Sequence, residues 1–265
     1  MSRIICIIPA RYQSSRFEGK PLADICGKPM IQHVYERAEG VEMVSSVAVA
    51  TDDERIYDAV KAFGGNAVMT SPRHRSGTDR IAEAVSGLGL DDNDIVVNIQ
   101  GDQPLFEPSQ IEEVVTPLLE DPALPMATLI YRIRREEEIH SPHIVKTVFD
   151  TGGRALYFSR STIPCDRDGT SKVDYYKHHG IYAYRRSFLA VFNTLETGVL
   201  ERLEALEQLR ALEHGYVVRV VETAHDSIEV DTEADIERVR RTIDGHKGTK
   251  VHRHKGTKKR KFQSS

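Results

Sequence analysis

The sequence predicts an α/β fold with a predominantly parallel central sheet and helices on both faces. In the first half, short apolar runs alternate with amphipathic stretches, which supply the crossover helices that parallel strands need. Beyond Leu124 the pattern changes to closely spaced strands, which indicates a mixed-strand insertion. Helical periodicity then returns, so we expect the 265 residues to form one domain with a full core.

The elements of the first half follow from their apolar patterns. Predominantly apolar runs, typical of strands buried on both faces, occur at residues 4–8, 44–50 and 95–99. Amphipathic stretches predict helices at residues 30–38, 53–63, 79–85 and 109–119. The order β-α-β-α-α-β-α indicates a sheet that is covered on both sides.

The second half adds an insertion and then returns to the main sheet. Strands are predicted at residues 126–131, 144–149, 155–158 and 180–184, with Gly152-Gly153 as a hairpin turn. Helical periodicity returns at 200–212 and 234–243, on either side of a strand near 216–221. The predicted domain therefore spans residues 1–245, with the insertion at about 125–195.

Cysteine usage and hydropathy argue against a disulfide-bonded, zinc-binding, secreted or membrane-spanning protein. Cys6, Cys26 and Cys165 show no Cys-x-x-Cys pairing, so we expect buried free thiols with no disulfide and no zinc site. The first apolar run ends at Pro9, which is too short for a signal peptide, and no stretch approaches the length of a membrane span. These features predict a cytoplasmic protein with no membrane span.

The formal net charge of −4 is distributed unevenly, because residues 246–265 form a basic tail. The tail holds 8 Lys or Arg and no acidic residue, which leaves −12 for residues 1–245. It has almost no apolar residues, so we expect disorder. It is either an electrostatic contact for nucleic acid or an anionic membrane, or a dispensable extension. The lack of aromatics and periodicity favours the extension, so nucleic-acid binding is not expected.

Three cations follow the first predicted strand. Arg11, Arg16 and Lys20 lie in one loop with Gly19, and such a loop is delivered to the carboxyl edge of the sheet, where ligands of open α/β folds bind. This set of residues suits a triphosphate. The guanidinium groups of arginine pair with phosphate oxygens, lysine supplies a positive charge, and glycine lets the backbone come close, although no Walker A motif is present. The alternative is ordinary solvated charge on a loop.

Two aspartates are candidate metal ligands. Asp102 follows an apolar strand and Gly101, at the predicted sheet edge, where a carboxylate beside a polyphosphate is the usual holder of Mg²⁺. It is otherwise a turn aspartate. Asp231 precedes the last predicted helix and supplies a second carboxylate, but it is equally suited to be the helix N-cap unless Thr232 takes that place.

The segment Ser76-Gly77-Thr78-Asp79-Arg80 opens a predicted helix. Its hydroxyls and free helix-start amides suit hydrogen bonding to a base or an anion. Ordinary helix capping explains Ser76 and Thr78 equally well, so the pattern alone leaves both interpretations open.

Eight motifs in order carry a family resemblance: Ile-Pro-Ala-Arg-Tyr-Gln-Ser-Ser-Arg-Phe-x-Gly-Lys-Pro-Leu, Ala-Thr-Asp-Asp, Ser-Gly-Thr-Asp-Arg, Gln-Gly-Asp-x-Pro, Tyr-Phe-Ser-Arg-x-Thr-Ile-Pro, His-His-Gly-Ile-Tyr-Ala-Tyr-Arg, Leu-Glu-Gln-Leu-Arg and Glu-Val-Asp-Thr. From about residue 3 to residue 243 the chain resembles the 3-deoxy-manno-octulosonate (KDO) cytidylyltransferase, or CMP-KDO synthetase, family. The resemblance implies a Rossmann-like nucleotide-diphospho-sugar transferase fold, a homodimer and dependence on Mg²⁺. It also implies that CTP and KDO give CMP-KDO and pyrophosphate for lipopolysaccharide synthesis.

The resemblance also implies roles for individual residues. The residues expected to bind the triphosphate are Ala10, Arg11, Arg16 and Lys20. Those expected to bind the cytidine are Ala50, Ser76, Arg80, Gln100 and Gly101. Asp102 and Asp231 are expected to bind Mg²⁺. The residues expected to bind the sugar acid are Gln100, Arg167, His178, Tyr182, Glu207 and Gln208. Arg11 and Lys20, with the two aspartates, are the expected catalytic residues.

Other interpretations of the same residues stay open. Glu207 is otherwise a solvated helix charge, His178 a packed strand residue and Arg167 a loop charge. Glu18 and Val199 stand where the family usually has proline, which affects loop rigidity and dimer packing more than polar ligands. The alternative functions are a cytidylyltransferase for 8-amino-KDO or sialic acid, and a non-catalytic protein that binds nucleotide or nucleic acid.

Overall fold

Nine strands of the described chain form one sheet, and two more form a small hairpin sheet. The computed structural model describes residues 2–13, 17–74, 76–169 and 173–253, with residues 245–253 described by backbone alone. The strands are β1 (Ile4–Ala10), β2 (Asp24–Ile25), β3 (Lys28–Pro29), β4 (Ser46–Thr51), β5 (Ala67–Met69), β6 (Ile95–Asn98), β7 (Met126–Arg132), β8 (Lys146–Phe149), β9 (Ala155–Ser159), β10 (Tyr176–Arg185) and β11 (Val218–Glu222). The helices are α1 (Met30–Glu39), α2 (Glu54–Ala62), α3 (Gly77–Ser86), α4 (Ser109–Glu120), α5 (Glu136–His140), α6 (Arg186–Phe192), α7 (Val199–Glu204), α8 (Gln208–Glu213) and α9 (Glu233–Arg253).

The sheet order β11-β7-β10-β6-β1-β4-β5 confirms the predicted α/β fold. β5, β4, β1 and β6 are parallel neighbours, and β7 and β11 are parallel to each other. β10 runs antiparallel between β6 and β7, so all the other strands on this path point the same way. β8 pairs with β10 and β9, and the predicted hairpin turn at Gly152-Gly153 joins β8 to β9, with Gly153 at φ 74°.

The core lies on both faces of this sheet, as the apolar runs predict. Along β1, Ile4, Cys6 and Ile8 pack into the layer that includes α1, α2 and α4. Ile5 and Ile7 pack into the opposite layer, with α3, α6 and α8. A strand whose alternate side chains are buried on both sides can present only its end to a ligand. Function is therefore confined to the strand ends and the loops that follow them.

Two predictions about elements are wrong. β5 was not expected, because three partly exposed residues at a sheet edge leave too short an apolar run. The single helix predicted at 200–212 is two helices, α7 and α8. Ala205 between them adopts the left-handed φ of 52°, and its N–H bonds the carbonyl of Glu201, which ends α7. The apolar periodicity continues across this break, so it gave no signal for it.

The last helix and the cysteines also differ from expectation. α9 continues to Arg253, so disorder is wrong for residues 246–253, and the rest of the predicted tail lies outside the described residues. Cys6 is a buried free thiol as expected, whereas Cys26 and Cys165 are exposed, because both lie in loops. None of the described helices is long and apolar enough to cross a membrane.

The strained turn at Ala205 generates a stability prediction. Glycine has no Cβ and adopts positive φ at little cost, so Ala205→Gly should raise the free energy of unfolding by about 0.5–1 kcal/mol. Ala211→Gly, in α8 and fully buried, is the matched control and should lower it by about 1 kcal/mol or more. Urea denaturation followed by circular dichroism measures both. A loss of stability in Ala205→Gly would contradict the prediction.

Candidate active site

The cationic loop after β1 folds back on itself at the carboxyl edge of the sheet. The N–H of Gly19 donates to the carbonyl of Tyr12 at 2.8 Å, and Gly19 has a φ of 70°. A Cβ on Gly19 would lie 3.1 Å from the Tyr12 ring, so this close turn favours glycine. Arg11 donates to the carbonyl of His74 at 2.6 Å, and Arg16 lies outside the described residues. Arg11 and Lys20 therefore face the same edge.

Lys20 lies between the two predicted metal-binding aspartates. Its Nζ is 2.8 Å from Asp102 Oδ2 and 3.6 Å from Asp231 Oδ1. The same ammonium donates to the carbonyl of Val230 at 2.8 Å, and the N–H of Val230 donates to the carbonyl of Asp102 at 2.9 Å. Backbone and side-chain bonds thus join the strand-end turn of Asp102 to the segment before α9. The two carboxylates converge on one cation.

The geometry decides between the two roles left open for Asp231. α9 begins at Glu233, and Thr232 directly before it accepts a hydrogen bond from the N–H of Asp235 at 3.4 Å. The Asp235 carboxylate accepts in return from the N–H of Thr232 at 3.0 Å. Thr232 therefore caps the helix, and Asp231 contacts Lys20 at the edge of the sheet.

A third carboxylate that the sequence analysis did not select lies beside this pair. Glu229 opens into the same cavity as Asp102 and Asp231, and its Oε1 accepts from Gln103 Nε2 at 3.2 Å. The surrounding protein desolvates Glu229 and raises its pKa, and the charge of Asp102 raises it further. Glu229 lies two residues before Asp231 in an extended segment, which was its only signal in the sequence.

The residues expected at the nucleotide are largely buried. Ala10 and Ala50 are core residues, and Arg80 is fully buried, donating to Thr70 Oγ1 at 2.6 Å and Asp52 Oδ2 at 2.8 Å. Nε of Arg80 has no partner, so one donor remains unused.

Three further nucleotide candidates lie at element ends. Ser76 forms a capping box with Asp79 at the start of α3, which accounts for its hydroxyl structurally. Gly101 lies so close to β1 that a Cβ would be 3.1 Å from the carbonyl of Pro9. Gln100 donates to Asn98 Oδ1 at 3.3 Å and stays partly exposed.

Four of the residues expected at the sugar acid form two pairs, and Arg167 lies apart from them. His178 and Tyr182 pack ring to ring at 5.2 Å on β10, and burial lowers the pKa of His178 to about 3, so its imidazole is neutral. Glu207 accepts from Thr78 Oγ1 at 2.7 Å, and Gln208 is buried beside it with Nε2 unpartnered. Arg167 is 95% exposed and is not among the described residues that line the cavity.

A cavity of about 520 Å³ extends from the aspartates along β10. Asp102, Glu229 and Asp231 line it, as do His178 and Gly180. Further along, it is lined by the Lys177 cluster, which we define as Arg135, Glu138, Lys177, His179 and Asp226. The cavity joins the acidic region around Asp102 and Asp231 to a polar chamber, an arrangement that suits transfer chemistry between an anionic nucleotide and a polyhydroxylated acceptor.

The family described as Cytidylyltransferase matches residues 5–244. A 3-deoxy-manno-octulosonate cytidylyltransferase of Syntrophus aciditrophicus is 69% identical over 240 residues, which is 91% of this chain and 97% of that protein. An 8-amino-3,8-dideoxy-manno-octulosonate cytidylyltransferase of Shewanella woodyi is 56% identical over 88% of this chain and 95% of that protein.

Solved structures agree with this assignment. A CMP:2-keto-3-deoxy-manno-octonic acid synthetase complexed with CTP superposes with a TM-score of 0.87 at 48% identity, covering 92% of this chain and 100% of that one. A 4-diphosphocytidyl-2C-methyl-D-erythritol synthase, at 13% identity and a TM-score of 0.63, shares the fold. By its sequence relatives, its fold and its motifs, the chain belongs to the 3-deoxy-manno-octulosonate cytidylyltransferase (CMP-KDO synthetase) family.

Proposed function

We propose that this protein transfers the cytidylyl group of CTP to KDO, giving CMP-KDO and pyrophosphate for lipopolysaccharide synthesis. The observation that carries the proposal is the convergence of Asp102 and Asp231 on Lys20, at the opening of the 520 Å³ cavity. Nucleotidyl transfer needs a cationic cradle for a triphosphate next to a space for the acceptor. Arg11 and Lys20 lie at this edge of the sheet, and Asp102 and Asp231 beside Lys20 line the cavity, which supports the proposal.

The charge balance at the aspartates fits a divalent cation. Asp102 and Asp231 both contact the single ammonium of Lys20, so negative charge is in excess there, and their charges also act on the neighbouring Glu229. Hard carboxylate oxygens beside phosphates are the ligands that Mg²⁺ prefers. Asp102 and Asp231 would hold it, and when bound it neutralises charge on the triphosphate.

The reaction is an in-line displacement at the α-phosphorus of CTP. The anomeric hydroxyl of KDO attacks and loses its proton, the bond between the α-phosphorus and the bridging oxygen breaks, and pyrophosphate leaves. Arg11 and Lys20 lie at the loop where the triphosphate is expected, so their charges stabilise the leaving pyrophosphate, with Arg16 as a third candidate. Because the imidazole of His178 is neutral, it can hydrogen-bond a sugar hydroxyl and does not repel a divalent cation bound nearby.

The other assigned residues bind and orient the two substrates. Ala10, Ala50, Ser76, Arg80, Gln100 and Gly101 form the nucleotide side. Tyr182, Glu207, Gln208 and Gln100 form the acceptor side beside His178, and Arg167 reaches the sugar only if its exposed loop moves toward the cavity. Thr78, two residues after Ser76, donates to Glu207 at 2.7 Å, so the start of α3 contacts an acceptor-side residue.

A homodimer is the expected assembly, and an exposed apolar surface supports it. Leu156 on β9 is 61% exposed, and Val199 and Leu203 on α7 are 57% and 78% exposed. Glu204 accepts from Ser159 Oγ at 2.6 Å and so holds α7 against β9. Exposed large apolar side chains on neighbouring elements are typical of protein interfaces.

The catalytic aspartates generate the first functional prediction. Asp102→Asn and Asp231→Asn should each lower kcat at least about 10³-fold, because the pair would no longer hold a divalent cation, while the thermal midpoint stays close to that of the wild type. Pyrophosphate release from CTP and KDO measures the loss. Asp92→Asn, an exposed carboxylate paired with Arg186, is the control that should keep full activity. Near-normal turnover by either active-site variant would overturn the assignment.

The reaction itself predicts a defined requirement for substrates and metal. Pyrophosphate should form with CTP and KDO but hardly at all with UTP, since uracil carries a carbonyl where cytosine carries an amino group. EDTA should abolish the reaction, and excess Mg²⁺ should restore it. The same assay in which each component is omitted in turn tests the proposal, and it fails if CTP and KDO release no pyrophosphate in the presence of Mg²⁺.

The apolar surface predicts the assembly in solution. Light scattering after size exclusion should give twice the chain mass of 29.8 kDa. Leu203→Glu should shift the protein toward the monomer, because a charge would be buried without a partner. Leu119→Glu, at a 47% exposed position on α4, is the matched control and should remain dimeric. A wild-type monomer at micromolar concentration would refute the homodimer.

A further inference from the structure

Tyr12 and Gly19, which we call the loop base, close the cationic loop, and each adjoins a cation assigned to the triphosphate. Tyr12 follows Arg11, and Gly19 precedes Lys20. The N–H of Gly19 donates to the carbonyl of Tyr12 at 2.8 Å, and a Cβ on Gly19 would lie 3.1 Å from the Tyr12 ring. A shift of Tyr12 would therefore move Arg11 and Lys20 relative to each other.

Arg55, in the first turn of α2, lies over the Tyr12 ring. Its guanidinium carbon is 3.3 Å from the ring centre, which is the arrangement of a cation–π contact. α2 also contacts the turn at Lys20–Leu22, which follows the loop. Tyr12 itself packs against the apolar layer that includes α1, α2 and α4. The loop base is therefore joined to α2 through Arg55 as well as to the core.

Asp53 holds the guanidinium of Arg55 in this position. Asp53 Oδ1 accepts from Arg55 Nε at 2.9 Å, and Oδ2 accepts from Nη2 at 2.7 Å. Oδ1 also accepts from the backbone N–H of Arg55 at 3.0 Å, so Asp53 is the N-cap of α2. A two-point pair fixes the plane of the guanidinium as well as its charge. Arg55 is thus oriented toward Tyr12 although its side chain is 58% exposed.

The loop also carries a negative charge, at Glu18, directly before Gly19. Asp53 raises the pKa of Arg55, and the charge of Glu18 acts on Arg55 in the same direction, so Glu18 lies near the guanidinium. A carboxylate beside the loop base would repel a bound triphosphate. The charge of Arg55 offsets this repulsion.

Resting on the proposed function, we propose that Arg55 is a positioning residue for the triphosphate of CTP. Its contact with Tyr12 and its charge beside Glu18 keep the loop base in place before the nucleotide binds. A loop that already has its bound arrangement loses less conformational freedom on binding, so the affinity is higher. By the proposed assignment, the β- and γ-phosphates contact Arg11 and Lys20. Arg55 therefore strengthens the binding of CTP much more than that of CMP, which lacks both phosphates.

The test measures the dissociation constants of CTP and CMP by isothermal titration calorimetry, with Mg²⁺ and without KDO. Arg55→Ala should raise the constant for CTP about fivefold, the effect expected when an exposed cation–π contact is lost, and change that for CMP less than about twofold. Arg55→Lys keeps the charge but not the two-point pair with Asp53, so the constant for CTP should rise about twofold. Because the side chain is exposed, the thermal midpoint of both variants should stay close to that of the wild type.

Two further changes separate this contact from the loss of any positive charge on α2. Lys61→Ala removes another cation of the helix, whose ammonium lies 5.8 Å from the centre of the Tyr57 ring, and it should leave both constants unchanged. Glu18→Gln should have little effect by itself. In the Arg55→Ala background, where the Glu18 carboxylate has lost its compensating charge, the same change should lower the constant for CTP about twofold.

The outcomes separate this inference from the proposed function. If the wild type releases no pyrophosphate with CTP, KDO and Mg²⁺, the proposed function itself fails, whereas the binding constants still report on Arg55. If Arg55→Ala leaves CTP binding unchanged, or weakens CTP and CMP equally, the positioning role is overturned and the transferase activity stands. A selective loss for CTP that Glu18→Gln partly reverses supports the inference.

Discussion

The contact of Lys20 with Asp102 and Asp231 is the constraint on which the site depends. It joins three segments at the carboxyl edge of the sheet: the loop after β1, the turn after β6 and the strand-like stretch before α9. The backbone bond from Val230 to the carbonyl of Asp102 holds the last two segments in register. Because like charges repel, the two carboxylates approach each other only with a cation between them. Lysine supplies it here, and a divalent ion bound with nucleotide would meet the same demand.

The antiparallel strand β10 forms the wall of the cavity that lies beside the aspartates. Its first residues extend past the end of β6, so His178 and His179 stand beside the turn that carries Asp102. The register shift between His179 and Tyr182 lets neighbouring residues face different partners: His178 packs on Phe158 and Tyr182, whereas His179 faces Tyr131 and Asp226. One strand therefore lines the cavity with both a neutral ring and a charged cluster.

Sequence patterns predicted the parallel sheet and the acidic pair because both have local signals. An apolar run followed by Gly101-Asp102 marks a strand end wherever it occurs. The break at Ala205 and the short edge strand β5 had no such signal, since periodicity continues through the first and the second is only three residues long. The Lys177 cluster was missed for another reason: Arg135, Lys177 and Asp226 look like ordinary surface charges until the fold brings them together. The exposed position of Arg167 likewise depends on a loop path that no local pattern defines.

Lys20 bonds to the carbonyl of a residue 210 positions later in the chain, which has a consequence for biosynthesis. As the polypeptide leaves the ribosome, the segment containing Val230 and Asp231 emerges about 210 residues after Lys20, later than β1 and β6, whose loops it must meet. Long-range closure of this kind is slow relative to local helix formation. A nascent chain that has not yet reached Asp231 thus holds the sheet edge without the contacts that Val230 and Asp231 make with Lys20.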